Sequence, residues 1–154
     1  MNIFVVDEDP EVAARQLCDK HVVKMILETA QMLCTVAHNH GYEAPYKVAH
    51  PKHPCTLWAG KSAANWTWLI DHGLAMSEEY TERYGRTHKS EAVIKWCRNL
   101  PIKFPAAQLT PFAQAMPDQY KNECTVTAYR AYYHGEKAGF ATWKSEVPKW
   151  WTAA

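Results

Sequence analysis

The sequence predicts a mainly α fold: a compact single-domain helical bundle with long ordered loops and at most a short N-terminal strand. Three observations predict it. Apolar residues recur at helix-like spacing over about 10–38, 56–84 and 118–134. Prolines gather in two stretches without any period, 42–54 and 99–117, which marks them as loops rather than elements. Only residues 2–6 form a β-branched apolar run.

That opening run, Asn2-Ile3-Phe4-Val5-Val6, is bounded by Asp7 and predicts a brief extended segment tucked against the body. Asp9-Pro10-Glu11 then reads as a helix start. Asp9 can cap the free N–H groups, Pro10 suits the first helical position, and Glu11 complements the positive end of the helix. The helix should run to about His38, with a break near Cys18-Asp19, and Gly41 should stop it. Residues 42–54 form a connecting loop that carries His50 and His53. From about Thr56 to Tyr84 a second long helix is predicted, with Trp58, Trp66, Leu69, Ile70 and Tyr80 at helical spacing and Gly73 as the place to bend it. A shorter helix fits 90–98. Residues 99–117, with Pro101, Pro105, Pro111 and Pro117, predict a long surface loop of a kind that is often functional. Residues 118–134 read as one more helix and 135–143 as its continuation or a short partner, with Tyr129, Tyr132, Tyr133, Phe140 and Trp143 forming an aromatic cluster. No repeat, low-complexity tract or linker divides the chain, so 1–154 reads as a single helical domain.

Composition narrows the function. With 154 residues, 47% hydrophobic and 21% charged, the chain can build a real core without disulfides or a structural metal, and disorder is excluded. Seven Trp and eight Tyr supply flat surfaces that can pack in a core or stack on a planar ligand. A formal charge of +1 gives no global pull towards nucleic acid or an anionic membrane, so any such contact needs a local patch. The cysteines, Cys18, Cys34, Cys55, Cys97 and Cys124, are odd in number and widely spaced, and residues 1–7 are too short for a secretory apolar core. They read as reduced thiols of a cytoplasmic protein. No apolar run approaches the roughly 20 residues that span a bilayer.

The helix after Asp19 presents Val22, Met25, Ile26, Thr29, Leu33 and Val36 as a core face, and His21, Lys24, Glu28, Gln31 and Thr35 advance by three and four along one side. An imidazole, a cation and a carboxylate within reach of one ligand suffice for acid–base chemistry or for gripping a phosphate and a base edge. Lys24 and Glu28 are equally an ordinary i,i+4 pair on a solvated face. A second constellation is His53-Pro54-Cys55 leading to Trp58, Ser62 and Asn65. There a helix start offers N–H groups to an anion, Trp58 a stacking plane and Asn65 a two-sided amide suited to a base. Trp58 as core and Asn65 as a satisfied buried amide is the competing reading. A third is the basic run 83–89, with Arg83 and His88, which suits phosphates or a solvated helix end. Cys18 and His21, with His50, His53 and Cys55, could be considered for zinc, but they lack the tight pairing of soft-ligand sites, so no metal is assigned and no cofactor is called for. Phosphate-cradling glycine loops, paired CxxC motifs and GxSxG elbows are absent, which removes most nucleotide hydrolases and serine hydrolases.

The strings DKHVVKMILETAQML, HPCTLWA, EEYTERYGRTHKS and PFAQAMPDQYK resemble those of small proteins encoded by tailed bacteriophages, which would place the chain in the cytoplasm of an infected cell. More distantly, Asp19-Lys20-His21 followed by Glu28 is similar to the D-x-H…E segment of the pyrimidine-dimer DNA glycosylases of the phage endonuclease V type. The resemblance implies a compact, almost all-helical domain with an aromatic-rich C-terminus, a catalytic carboxylate at Glu28 and a site histidine at His21. It also implies an attacking α-amine, there on a Thr exposed by removal of the initiator Met, which forms an imine with the sugar. Here residue 2 is Asn, too large for efficient Met removal, so that amine has no direct successor. Leu27 and Gln31 stand where that family has arginines.

Two functions follow from the site. One is an enzyme acting on a base or sugar of DNA or of a nucleotide. In it Glu28 is the general acid/base, His21 a proton carrier or sugar-binding group and Lys24 a phosphate contact, while Asp19, Lys20, Gln31, His53, Trp58, Asn65, Arg83 and His88 hold the ligand. The other is a non-catalytic binder that sequesters a bacterial immune signalling nucleotide in the same pocket. The partner in both is a nucleotide or DNA.

Overall fold

The computed structural model describes residues 1–152, and seven α-helices carry the fold: α1 (Pro10–Gln16), α2 (Asp19–Asn39), α3 (Pro54–Ala59), α4 (Ala63–Tyr84), α5 (Glu91–Arg98), α6 (Thr125–Tyr132) and α7 (Lys149–Thr152). The mainly α expectation holds, with no strand among the described residues. Residues 2–6 are buried but not paired, because a lone strand has no ladder to join. Local and side-chain partners serve its polar groups instead: Ile3 N–H donates to Asn2 Oδ1, Val6 N–H to Phe4 C=O, and Arg130 Nε to Val6 C=O.

Asp9 caps α1 as its chemistry predicts, accepting from the N–H groups of Glu11 and Val12 at 2.8 and 3.2 Å. The break falls at Leu17-Cys18, where Leu17 turns extended, so α1 and α2 leave in different directions from one buried corner. The second long helix is two helices. Gly60 ends α3 and Ser62 starts α4 by accepting from Asn65 N–H at 3.1 Å, a strong cap that outweighs the continuing apolar period. Gly73 does not interrupt α4, which runs unbroken from Ala63 to Tyr84. A Cβ there would stand 2.9 Å from both Ile94 and Thr29, so the glycine lets α2, α4 and α5 approach closely.

The expected helix over 118–134 is shortened to a 3-10 turn at Asp118–Tyr120 and α6, because Asn122 caps the intervening turn by accepting from Cys124 N–H. A π-helical turn, Tyr133–Lys137, follows α6 directly, and 138–148 holds no helix. The core joins α1, α2, α4 and α5, with Leu17, Ile26, Met32, Leu33, Leu69, Met76 and Ile94 fully buried. Each such side chain contributes about 1.5–3 kcal/mol. Tyr129 and Tyr133 complete the core from the C-terminal side, so the last quarter of the chain lies against the first six residues and the start of α2. No helix among the described residues is long and apolar enough to cross a membrane.

Candidate active site

The first three turns of α2 present His21, Lys24 and Glu28 to a small cavity of about 160 Å³ that Met1, Asn2, Phe4, Met25, Tyr132 and Lys137 also line. Its position follows from how the N-terminus is held. Asn2, itself buried, donates its amide to Ala115 C=O at 2.8 Å and accepts from Tyr129 Oη at 2.8 Å. Pinned there, the chain delivers the α-ammonium of Met1 to 3.1 Å from Glu28 Oε1. Glu28 is buried, and among the described residues that ammonium is the only ion-pair partner of Oε1, which accepts no hydrogen bond. On its other oxygen the exposed Lys24 ammonium stands 3.7 Å away, close enough for charge attraction but not for a hydrogen bond. The carboxylate therefore keeps acceptor capacity for a ligand.

His21 lies under the same cavity. Phe4 stacks on it at 4.1 Å between centroids, Tyr133 and Phe140 meet it edge-on, and its Nδ1 is hydrogen-bonded to Tyr133 Oη. Burial, then the ammonium groups of Lys137, Lys24 and Lys20, push its pKa down to about 3, so the ring is neutral at physiological pH. Lys137 comes from the π-helical turn and sits 4.7 Å over the Tyr132 ring, with Phe4 and Phe140 further off. Against the single carboxylate stand three cations, the Met1 ammonium, Lys24 and Lys137, so the cavity favours an anion.

The remaining predicted residues lie elsewhere. Lys20 is exposed, with its ammonium 4.7 Å over Phe140, at the rim beside His21. Gln31, one turn beyond Glu28, lines a different hollow with Leu27, Tyr46 and Val48. Asp19 accepts from Lys144 N–H and from the buried Arg83 guanidinium, tying the start of α2 to the C-terminal segment. Arg83 also bonds Glu79, Leu17 C=O and Arg15 C=O, so its donors serve the protein rather than a phosphate. His88 is bonded to Val23 C=O and Ser90 N–H. His53 caps α3 by accepting from Cys55 N–H at 3.1 Å. Burial, then the Met1 ammonium and His50, lower its pKa against the opposite pull of Glu28, which sets it electrically beside the site. Trp58 is packed on Phe112 and Trp68, with its N–H on Thr110 C=O. Asn65, fully buried, donates to Trp58 C=O and Thr110 Oγ1 and accepts from Thr110 N–H. Neither lines the cavity at Glu28.

Four participants were not singled out from sequence: the Met1 α-amine, Phe4, Tyr133 and Lys137. Tyr133 was visible only as a member of the aromatic cluster. Lys137 carried no signal, since nothing in the pattern forecasts a π-helical turn that carries it back over Phe4. Among the described residues no three His, Cys, Asp or Glu side chains converge as a metal site.

Searches of curated proteins and of solved structures returned no match. A family model, pyrimidine dimer DNA glycosylase, matches residues 1–92, a span that contains Met1, His21, Lys24 and Glu28. The chain therefore belongs to the pyrimidine dimer DNA glycosylase family.

Proposed function

We propose that the protein cleaves the N-glycosidic bond of a damaged pyrimidine in DNA, with the Met1 α-amine as the attacking group and Glu28 as the general acid/base. The observation that carries this is the 3.1 Å approach of that amine to Glu28 in a cation-rich cavity. The Met1 ammonium first gives a proton to Glu28, and the free amine then forms a bond to C1′ of the deoxyribose. The glycosidic electron pair leaves with the base, which takes the proton held by Glu28, and the bonded nitrogen then gives its second proton to the carboxylate. Opening of the sugar at C1′–O4′, with O4′ taking that proton back from Glu28, then turns the adduct into a protonated imine. Lys24, Lys20 and Lys137 hold the flanking phosphates as point charges. His21, neutral and fixed between Phe4 and Tyr133, serves as a hydrogen-bonding group for the sugar rather than as a proton carrier.

An oligonucleotide carrying one ultraviolet pyrimidine dimer tests the reading. Wild type should cut one glycosidic bond of the dimer, leaving that base tethered through the dimer to its neighbour, and yield a borohydride-trapped adduct that peptide mass spectrometry maps to residue 1. Glu28→Gln should lose at least about a hundredfold in rate, the usual scale for a general acid/base. An undiminished rate in Glu28→Gln, or an adduct on another residue, would sink the assignment. Recovery of an unaltered nucleotide from the denatured protein would favour the sequestering role.

A further inference from the structure

The hydroxyl of Tyr133 sits where three partners meet: Cys18 N–H at 3.3 Å, Cys18 Sγ at 3.6 Å and His21 Nδ1, the closest of them. The Cys18 amide can only donate, so it occupies one lone pair of the phenol oxygen. The phenol's single proton then has two possible acceptors, a ring nitrogen within short hydrogen-bond distance and a distant, weakly accepting sulfur. Burial and the neighbouring Cys18 raise the Tyr133 pKa well above the ordinary tyrosine value, so the proton is present at any physiological pH. The opposite arrangement, with Nδ1–H donating to the phenol, would leave that proton only the sulfur. On the far side of the ring, Nε2 has no hydrogen-bond partner among the described residues, and His21 lines the cavity it shares with Glu28 and Met1.

We infer that Tyr133 is a positioning residue: its hydroxyl donates to His21 Nδ1 and thereby fixes the tautomer whose Nε2–H is offered, as a hydrogen-bond donor, to an oxygen of the bound sugar. The inference rests on the glycosylase reading for the identity of that oxygen, but not for the tautomer itself. It gives the segment beyond residue 92 a part in the site, because Tyr133 and Lys137 open and close one π-helical turn. Such turns are frequent at functional sites because they redirect side chains that a regular helix would send elsewhere. Here Tyr133 points inward to His21 and Lys137 reaches the cavity rim. The groups facing His21 are the phenol of Tyr133, the thiol of Cys18 behind it, the ammonium groups of Lys137, Lys24 and Lys20, and, across the shared cavity, the paired Met1 ammonium and Glu28 carboxylate. Burial and all three lysines oppose protonation of the ring, which keeps Nε2–H a neutral donor rather than half of an imidazolium.

Long-range ¹H–¹⁵N correlation on ¹⁵N-labelled protein at pH 7, without DNA, reads the tautomer directly. The protonated ring nitrogen of His21 should be the one adjacent to Cδ2, and the resonances should not titrate between pH 8 and 5. A proton on Nδ1, or a titration in that range, overturns the inference whatever the protein's activity. Tyr133→Phe keeps the ring and removes only the hydroxyl. It should yield a mixture of tautomers and lower kcat on the dimer-containing oligonucleotide about tenfold, the worth of one hydrogen bond of 1.4 kcal/mol, with the Kd for that DNA little changed. If Tyr133→Phe keeps both tautomer and kcat, the tyrosine is packing alone and the inference is wrong. If the tautomer shifts in a protein that cuts no glycosidic bond at all, the positioning stands and the glycosylase reading falls.

Discussion

Two regions of this protein are built from the same kinds of residue and end in different states. Around Trp58 and Asn65, an aromatic ring, an amide and a helix start are locked together. Both amide protons and the carbonyl of Asn65 are hydrogen-bonded, and the indole N–H of Trp58 is placed on Thr110. Around Glu28, an aromatic ring, an imidazole and a helix start leave polar capacity over. Glu28 Oε1 has only the Met1 ammonium, Lys24 stands beyond hydrogen-bond distance, and Nε2 of His21 has no partner among the described residues. The difference shows how to separate a brace from a site: a buried polar group whose every donor and acceptor is matched stabilises the fold, whereas one left short is available to a ligand.

The comparison predicts large stability losses in the matched regions and small ones at the site. Arg83→Met should cost about 3–5 kcal/mol in urea unfolding, since it strands the buried carboxylate of Glu79 and two backbone carbonyls. A loss below about 1 kcal/mol would break the view of Arg83 as a brace. Asn65→Ala should cost about 3 kcal/mol by leaving Trp58 C=O and Thr110 unmatched, while the tautomer and the borohydride adduct stay as in wild type.

Acid should destabilise the protein through two buried histidines. His21 is lowered to about 3, by burial first and then by lysines, and His72 to about 4, by burial against its bond to Pro10 C=O. Both are neutral when folded, whereas the unfolded chain takes up their protons near the ordinary value of about 6.5. The unfolded state thus binds more protons below that pH, and stability falls as pH drops from about 6.5 towards 4. By pH 5 each histidine should have removed about 2 kcal/mol. His72→Asn keeps a donor for Pro10 C=O and removes one titration, so its pH profile should flatten by that amount. Smallest in stability is Lys137→Met, within about 0.5 kcal/mol of wild type. It should still reduce the slope of log K for DNA against log salt by about 1, the signature of one lost phosphate contact. An unchanged slope would remove Lys137 from the phosphate grip.

Much of this was legible in sequence where the physics is local. Asp9-Pro10 starts α1 and the break at Cys18 separates α1 from α2, because capping and proline geometry act within one turn. The joining of α3 to α4 in the sequence reading failed at Gly60 and Ser62, where a weak helix residue and a strong cap beat the apolar period. His21, Lys24 and Glu28 were found because spacing of three and four puts them on one face. Gln31 continues that stripe yet lines another hollow, since the chain segments that wall the cavity, Met1–Phe4 and Tyr132–Lys137, cover only the first turns of α2.

By itself the sequence determined the helical class, the start of α1 and its break from α2, and the polar face of α2, all of which depend on neighbours a few positions apart. Only the tertiary structure decided which polar residues would be matched and which left open. That choice hangs on contacts between residues more than a hundred positions apart, Asn2 with Tyr129 and His21 with Tyr133, and no local period encodes such pairs. Arg83 and Asn65 have the side chains of ligand-binding groups and became braces because the fold brought them carbonyls. Glu28 could have been an ordinary surface partner of Lys24, and became the centre of a cavity because the chain's own amine was folded against it.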